Sequence, residues 1–241
     1  MEKDPYLNMA RLYDRIYHWK DYLGESERLA SLLEEEGIGE GSHILEAGCG
    51  TGTYLAHLTR RFRMSGFDIS DAMLEVAKSK LPGIELFQAD MADVEVLTPF
   101  DAVLCLFSSI GYVYPQANLE RTARSFARAV RAGGVVIIEP WLTAAAYDEG
   151  RPSVQTYNGE ELAISRMCVA KAEGEFSVLK FEYCVAFRDH EVERFSEEHR
   201  MWMTPHDLLL SAFEKAGFSM RFEPDGLMKN RGLFVGRRIE D

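Results

Sequence analysis

Apolar positions recur along the chain first at helical spacing and then in short continuous runs. Helical periodicity fills Pro5 to about Trp19 and resumes from Asp21 to Glu36, where Gly37 and Gly39 end it. The pattern then changes to the runs "HILEAG", "RMSGFDIS", "GIELFQAD", "FDAVLCLFSS" and "GGVVIIEPW", separated by helical stretches such as Asp71 to Lys80 and Ala117 to Arg131. Alternation of that kind predicts a parallel sheet with crossover helices.

After Trp141 the alternation stops. A loop rich in Gly, Pro and polar residues leads into "LAISRMCVAKA", "EFSVLKFEYCVAFRD" and "VERFSEEHRMWM", which read as three successive strands with turn signals at Glu173–Gly174 and Asp189–His190. Thr204 then caps a helix with Pro205 at its first position, ending at Gly217, and "FSMRFEP" and "GLFVGRR" read as two closing strands. The expected fold is α/β: a seven-stranded, mostly parallel sheet carrying an antiparallel insert after its fifth strand. Residues 1–40 form a helical cap, 41–150 and 204–241 the core, and 151–203 the insert.

Composition narrows the choice of partner. A chain of 241 residues with 46% hydrophobic content buries a full core as one α/β domain with an inserted subdomain. No apolar run has the length of a membrane span, and the start, "MEKDPYLNMARLYDRIY", is too polar for a signal peptide, so a soluble cytoplasmic protein is expected. A formal net charge of −12 argues against a nucleic-acid partner, since phosphates are bound by clusters of Lys and Arg. It suits a cationic ligand better. Cys49, Cys105, Cys168 and Cys184 show no CxxC pairing and sit in or beside apolar runs, so they read as reduced packing residues and no metal site is expected.

The chemistry concentrates in "ILEAGCGTGTYL", which begins at Ile44 and places three glycines where the first strand meets a helix. Glycine within an element costs roughly 0.5–1 kcal/mol relative to alanine, so a cluster there implies close approach to the backbone. Ligands of such sheets bind beyond the carboxyl ends of the strands, where strand order reverses. Gly48, Gly50 and Gly52 make GxGxG, which lacks the GxGxxG spacing of a dinucleotide fold because position 53 is Thr. Asp68 follows Gly48 by twenty positions, a separation suited to an acid gripping ribose hydroxyls, and Glu46 is a further acid facing the same crevice.

"EAGCGTG", Asp68 on the second strand and "AD" at Ala89–Asp90 resemble the class I S-adenosylmethionine (SAM) dependent methyltransferases, which have a Rossmann-like fold. The resemblance implies that Gly48 and Gly50 meet the aminoacyl part of SAM, that Asp68 holds the ribose, and that Asp90 faces the adenine. Ile69, Met73, Met91 and Phe107 complete the cofactor contacts implied in this way, with Tyr13 and Tyr22 from the first helices. The flanks "LYDRIY", "KDY", "FSSIG", "GGVVIIEPW" and "RGLFVG" span nearly the whole chain and resemble the dTDP-amino-sugar N,N-dimethyltransferases of macrolide biosynthesis. Those enzymes carry a histidine after "FSSIG", near the amine that accepts the methyl group. Here that position is Tyr112.

Methyl transfer from a sulfonium needs mainly a nucleophile held in line in a site closed to water, with a base only where the acceptor must lose a proton. Tyr112 and Tyr13 are candidate catalytic groups. His199 is the leading imidazole, placed by strand alternation on the face opposite Arg200. Tyr17, Trp141 and Trp202 are either pocket walls or core aromatics. Ser109, beside Ser108 at the end of the fourth strand, faces the acceptor or caps the strand. Arg166, Lys229 and Arg231 sit where the resembling proteins contact substrate, with Arg231 the leading phosphate-binding cation. The resulting expectation is a methyltransferase that uses SAM on a small-molecule amine such as a nucleotide-linked amino sugar, with a homodimer allowed. The alternatives are an oxygen or carbon acceptor, or a non-catalytic SAM-binding protein.

Overall fold

The structure is a computed structural model that describes residues 6 and 9–240. Residues 5, 7 and 8 of the expected first helix lie outside the described residues. The remainder of that helix is broken into a 3₁₀ turn at Ala10–Leu12, the single-turn helix α1 (Tyr13–Ile16) and turns that continue to Lys20. Asp21 then starts α2 (Tyr22–Glu35), its side chain accepting from the Gly24 N–H at 2.9 Å. The break has a consequence for the site, because it aims the rings of Tyr13 and Tyr17 away from a single helical stripe and toward a cavity.

The strands and helices that follow are β1 (His43–Ala47), α3 (Thr53–Leu58), β2 (Arg63–Asp68), α4 (Asp71–Lys80), β3 (Glu85–Gln88), β4 (Phe100–Cys105), α5 (Gln116–Ala129) and β5 (Val130–Ile138). The helix expected to reach Arg131 stops two residues earlier, because Val130 already pairs with Phe100 of β4. Side chains alternate across these strands. Leu45, Val103 and Val136 enter one fully buried core under α5, while Ile44, Leu104 and Ile137 enter the other under α2 and α3. A sheet covered on both faces must read as continuous apolar runs, and it does.

After β5 the chain enters the insert: β6 (Pro152–Asn158), β7 (Leu162–Val169), β8 (Lys171–Glu173), β9 (Phe176–Phe187) and β10 (Glu193–Trp202), all antiparallel, in the order β10-β9-β7-β6 with β8 beside β9. Five strands stand where three were expected. β6 was hidden in the loop composition because it is a largely exposed edge strand that opens on a proline, which an edge tolerates. "LAISRMCVAKA" divides at Ala170 into β7 and β8. The chain closes with α6 (His206–Lys215), whose N-cap position is Pro205 and not the expected Thr204, and with β11 (Phe218–Glu223) and β12 (Leu233–Arg238).

The main sheet has seven strands in the order β11-β12-β5-β4-β1-β2-β3, with β1 to β5 parallel and β12 and β11 antiparallel, which is the Rossmann-like arrangement expected. Strand order reverses between β1 and β4. The insert sits over that point: Trp202 of β10 joins the core of the main sheet, while Met9, Leu12 and Ile16 pack against Ile164, Tyr183 and Val185 of the insert. Among the described residues no helix is long and apolar enough to cross a membrane.

Candidate active site

A cavity of about 830 Å³ opens beyond the carboxyl ends of β1, β2 and β4 and beneath the insert. That is large for a ligand pocket, which commonly holds about 300–1,000 Å³. One end is built by the glycine loop. Gly48 and Gly50 both have positive φ, +68° and +54°. A Cβ on Gly48 would stand 2.6 Å from the Met91 methyl and 2.8 Å from Cβ of Ser109, whereas nothing lies within 4 Å of the same position on Gly50. One glycine is needed for packing and the other leaves open space for a ligand.

Asp68, at the end of β2, ties this loop to the second strand. Its Oδ2 accepts from the Gly50 N–H at 2.8 Å and its Oδ1 from the Ser70 N–H at 2.9 Å, while Ser70, rather than Asp68, caps α4. A carboxylate offers about four acceptor sites, so holding the loop and holding a ligand hydroxyl are compatible. Ile69 and Met73 line the wall beside it. Asp90 also lines the cavity, with its Oδ1 accepting from the Ala92 N–H at 2.8 Å, and Met91 follows it.

Glu46 shares this end and is 2% exposed. Its Oε2 is buried with no hydrogen-bond partner, and burial, reinforced by the charge of Asp68, pushes its carboxyl well above the usual range despite the Leu55 N–H in the first turn of α3. A buried acid in that state is costly unless a cation answers it. The orphaned oxygen, the open space over Gly50 and the acids at the strand ends fit a ligand with an ammonium group and ribose hydroxyls. A raised folded-state pKa stabilises the ligand-free protein at low pH, and this contribution is lost as pH rises from the unfolded carboxyl value near 4.5 through the higher folded value. Glu46→Gln is therefore expected to raise the melting temperature of ligand-free protein at pH 8 and to weaken SAM binding by about tenfold or more. Calorimetry with and without SAM reads both, and a variant that is less stable and binds SAM normally would remove Glu46 from the site.

The loop after β4 is the other wall. Phe107 and Ser108 both adopt positive φ, +48° and +65°, a strained conformation for residues with side chains. Glu139, fully buried at the end of β5, holds it by accepting from the Phe107 N–H at 2.7 Å, and Ser108 Oγ donates to the Pro140 carbonyl at 2.7 Å. Arg231 closes the arrangement, donating to Ser108 Oγ at 3.0 Å, lying 3.8 Å from Glu139 and stacking over Trp141 at 4.8 Å. The strain turns Phe107 into the cavity, where it meets Tyr17 edge-on at 5.2 Å, and it brings Ser109 against the Gly48 carbonyl.

The other end of the cavity lies under the insert. Arg166 of β7 is 5% exposed yet lines the cavity; its guanidinium stacks between Tyr17 and Phe181 at 4.7 and 4.3 Å and donates to Tyr17 Oη at 2.9 Å and to Gln155. No carboxylate stands within ion-pair distance of it among the described residues. Arg231 differs, since Glu139 answers its charge. Lys229 lines a shallow groove beside Arg28 instead of this cavity, and Trp202 is buried in the core against Tyr114. Trp141 does line the cavity, with its indole N–H donating to Ser177 at 2.7 Å.

Tyr112 and His199 meet: Tyr112 Oη is 2.7 Å from His199 Nδ1 and 2.7 Å from Tyr6 Oη. Tyr112 keeps 39% of its surface open, toward the cavity that it lines. Even so, surrounding protein holds its phenol above the usual range, and burial does the same for Tyr13 and Tyr22. All three stay neutral near pH 7, so they donate hydrogen bonds and are too weakly acidic to serve as bases in their own right. Tyr6, Glu139 and Glu197 were not singled out from the sequence. For Glu197 a signal existed, since it lies two residues from His199 on the same strand face.

A glycine loop at the switch point of a Rossmann-like sheet, acids at the ends of β1, β2 and β3 and an aromatic lid over them define a class I SAM-dependent methyltransferase. Residues 44–134 match the family described as a methyltransferase domain. The chain is 33% identical to the dTDP-3-amino-3,6-dideoxy-alpha-D-glucopyranose N,N-dimethyltransferase of Streptomyces fradiae, covering 95% of this chain and 90% of that one. It is equally similar, at 33%, to the dTDP-3-amino-3,4,6-trideoxy-alpha-D-glucopyranose N,N-dimethyltransferase of Streptomyces venezuelae, over 94% and 96% of the two chains. Among solved structures, the sugar N-methyltransferase KedS8 from Streptoalloteichus sp. superposes with a TM-score of 0.91 at 32% identity, covering all of this chain and 96% of its own. The chain belongs to the family of these sugar N,N-dimethyltransferases.

Proposed function

We propose that the protein transfers methyl groups from SAM to the amine of a nucleotide-linked amino sugar. The observation that carries the acceptor class is Arg166. A buried guanidinium without a carboxylate is expensive, and it persists where a ligand supplies the anion. Its planar fork matches a diphosphate, and it lies in the same cavity as Gly50 and Asp68. The names of the relatives, which act on dTDP-linked amino sugars, support the same class.

Bound SAM supplies a methyl group made electrophilic by its sulfonium. The roles of the chain are to hold and to enclose. In this reading Asp68 holds the ribose, Asp90 the adenine, and Glu46 the ammonium of the cofactor's amino acid part. Tyr13, Tyr17 and Phe107 exclude water and present ring faces to the positive charge that the reaction moves from sulfur to nitrogen. Arg166 anchors the nucleotide end, and Tyr112 hydrogen-bonds the acceptor. An assay of labelled SAM with amino-sugar nucleotides, read by mass spectrometry, is expected to give products carrying one or two added methyls on nitrogen. A methylated hydroxyl with the amine untouched, or no product from any sugar nucleotide, would overturn the proposal.

A further inference from the structure

β10 carries a second buried acid, beside a histidine that lines the cavity. Glu197 and His199, two residues apart, share its inner face, and their side chains are only 4% and 5% exposed. His199 Nε2 lies 3.9 Å from Glu197 Oε2, and on its other side Nδ1 lies 2.7 Å from Tyr112 Oη. Neither oxygen of Glu197 has a hydrogen-bond partner, and among the described residues no lysine or arginine stands within 4.0 Å of it. A carboxylate beside Nε2 favours the tautomer with its proton there, which leaves Nδ1 to accept from the Tyr112 hydroxyl.

We propose that Glu197 holds His199 in this tautomer and that Tyr112 and His199 together take up the proton released when the acceptor nitrogen is methylated. The proposal rests on the reading that the acceptor is an amine. A neutral primary amine that gains a methyl becomes a secondary ammonium, and it must lose a proton before its lone pair can take a second methyl. The ammonium N–H bond breaks as a new O–H bond forms on Tyr112, while the original Tyr112 O–H bond breaks and an N–H bond forms at His199 Nδ1. Tyr112 ends neutral and the charge rests on the imidazolium, opposite Glu197. His199 returns its proton to solvent when the site opens.

The groups facing this pair are few. Tyr6 approaches His199 at 5.0 Å from the N-terminal segment and Phe181 at 5.5 Å from β9. Tyr183, also on β9, lies within the influence of both Glu197 and Arg166, and Tyr112 lies within that of Asp68 and Tyr17 from the cofactor end. Glu197 is the only carboxylate within 4.0 Å of the imidazole among the described residues.

The test is the pH profile of kcat, with the ratio of monomethyl to dimethyl product, for the parent, Glu197→Gln, Glu197→Asp and Tyr112→Phe on an amino-sugar nucleotide. Without the carboxylate nothing holds the imidazole in the accepting tautomer, so in Glu197→Gln the pH profile of kcat is expected to depart from the parental one, monomethyl product to accumulate, and both KM values to hold. Glu197→Asp keeps a carboxylate on this face and is expected to restore the parental profile and product ratio. Tyr112→Phe removes the first proton carrier and leaves His199 Nδ1 without this partner, so the pH dependence of kcat is expected to flatten and kcat to fall about tenfold. Parental profiles and product ratios in both Glu197→Gln and Tyr112→Phe would overturn the relay while leaving the proposed function standing. A loss in Glu197→Gln that Glu197→Asp fails to restore would make Glu197 structural. If the parent methylates no amine at all, the functional reading fails and the relay with it.

Discussion

Arg166→Met is expected to raise the KM for a nucleotide-linked acceptor by about 30- to 150-fold, equivalent to roughly 2–3 kcal/mol of lost charge-assisted hydrogen bonding, while kcat stays near the parental value. The reason is the unanswered charge. Arg166 lies between two aromatic rings with neutral partners, Tyr17 and Gln155, and no carboxylate within reach among the described residues. The same feature fixes the sign of a second readout. Removing a buried cation and filling its volume with an apolar side chain is commonly neutral or stabilising, so the ligand-free variant should melt no lower than the parent. Arg166→Lys keeps the charge and loses the fork, and should fall between the two. Steady-state kinetics on acceptors with and without the diphosphate decide the matter: an equal loss on a phosphate-free amine would show that Arg166 only shapes the wall.

Asp68→Ala is expected to weaken SAM binding by about ten- to a hundredfold and to lower stability as well. Two backbone N–H groups, those of Gly50 and Ser70, donate to its carboxylate in addition to any ligand hydroxyl. Leaving a buried donor without a partner costs about 1–3 kcal/mol, and in a chain of this size each kcal/mol lowers the melting temperature by about 2–4 °C. A fall of about 2–12 °C in ligand-free protein should therefore accompany the loss of affinity. Titration calorimetry gives the affinity and scanning calorimetry the stability. Undiminished SAM affinity in a folded variant would confine Asp68 to holding the loop.

The two variants fail in opposite directions without ligand, and that contrast separates the ends of the cavity. At the cofactor end Asp68 and Asp90 are tied to backbone N–H groups, so the protein organises most of that end by itself and leaves only Glu46 Oε2 without a partner. Under the insert Arg166 carries a charge that no carboxylate among the described residues answers. In the proposed function that end is completed by the acceptor's phosphates.

The cofactor end was legible in the sequence for a local reason. A strand, a glycine turn and a helix are consecutive, and an acid closes the next strand at a fixed distance along the chain, so periodicity and spacing alone bring Glu46, Gly48, Gly50 and Asp68 to one crevice. The parallel sheet was legible in the same way, because strands buried on both faces must be apolar throughout. β6 was not, since an edge strand has no such requirement. The broken first helix was not legible either: its apolar spacing served two purposes, with Leu12 and Ile16 packing on the insert and Tyr13 and Tyr17 lining the cavity.

The sequence by itself determined the parallel sheet, the switch point and the gathering of Glu46, the glycine loop and Asp68 at the strand ends, because each depends on neighbours within about twenty positions. Only the tertiary structure decided which charges are answered and which are not. Arg231 and Arg166 look alike in the sequence, yet one finds Glu139 at the end of β5 and the other finds only rings and neutral groups. Tyr112 and His199 are 87 positions apart and meet because the insert folds back over β4. A charge or a hydroxyl takes its chemistry from whatever lies within about 4 Å, and across strands that are distant in the chain no local pattern records that distance.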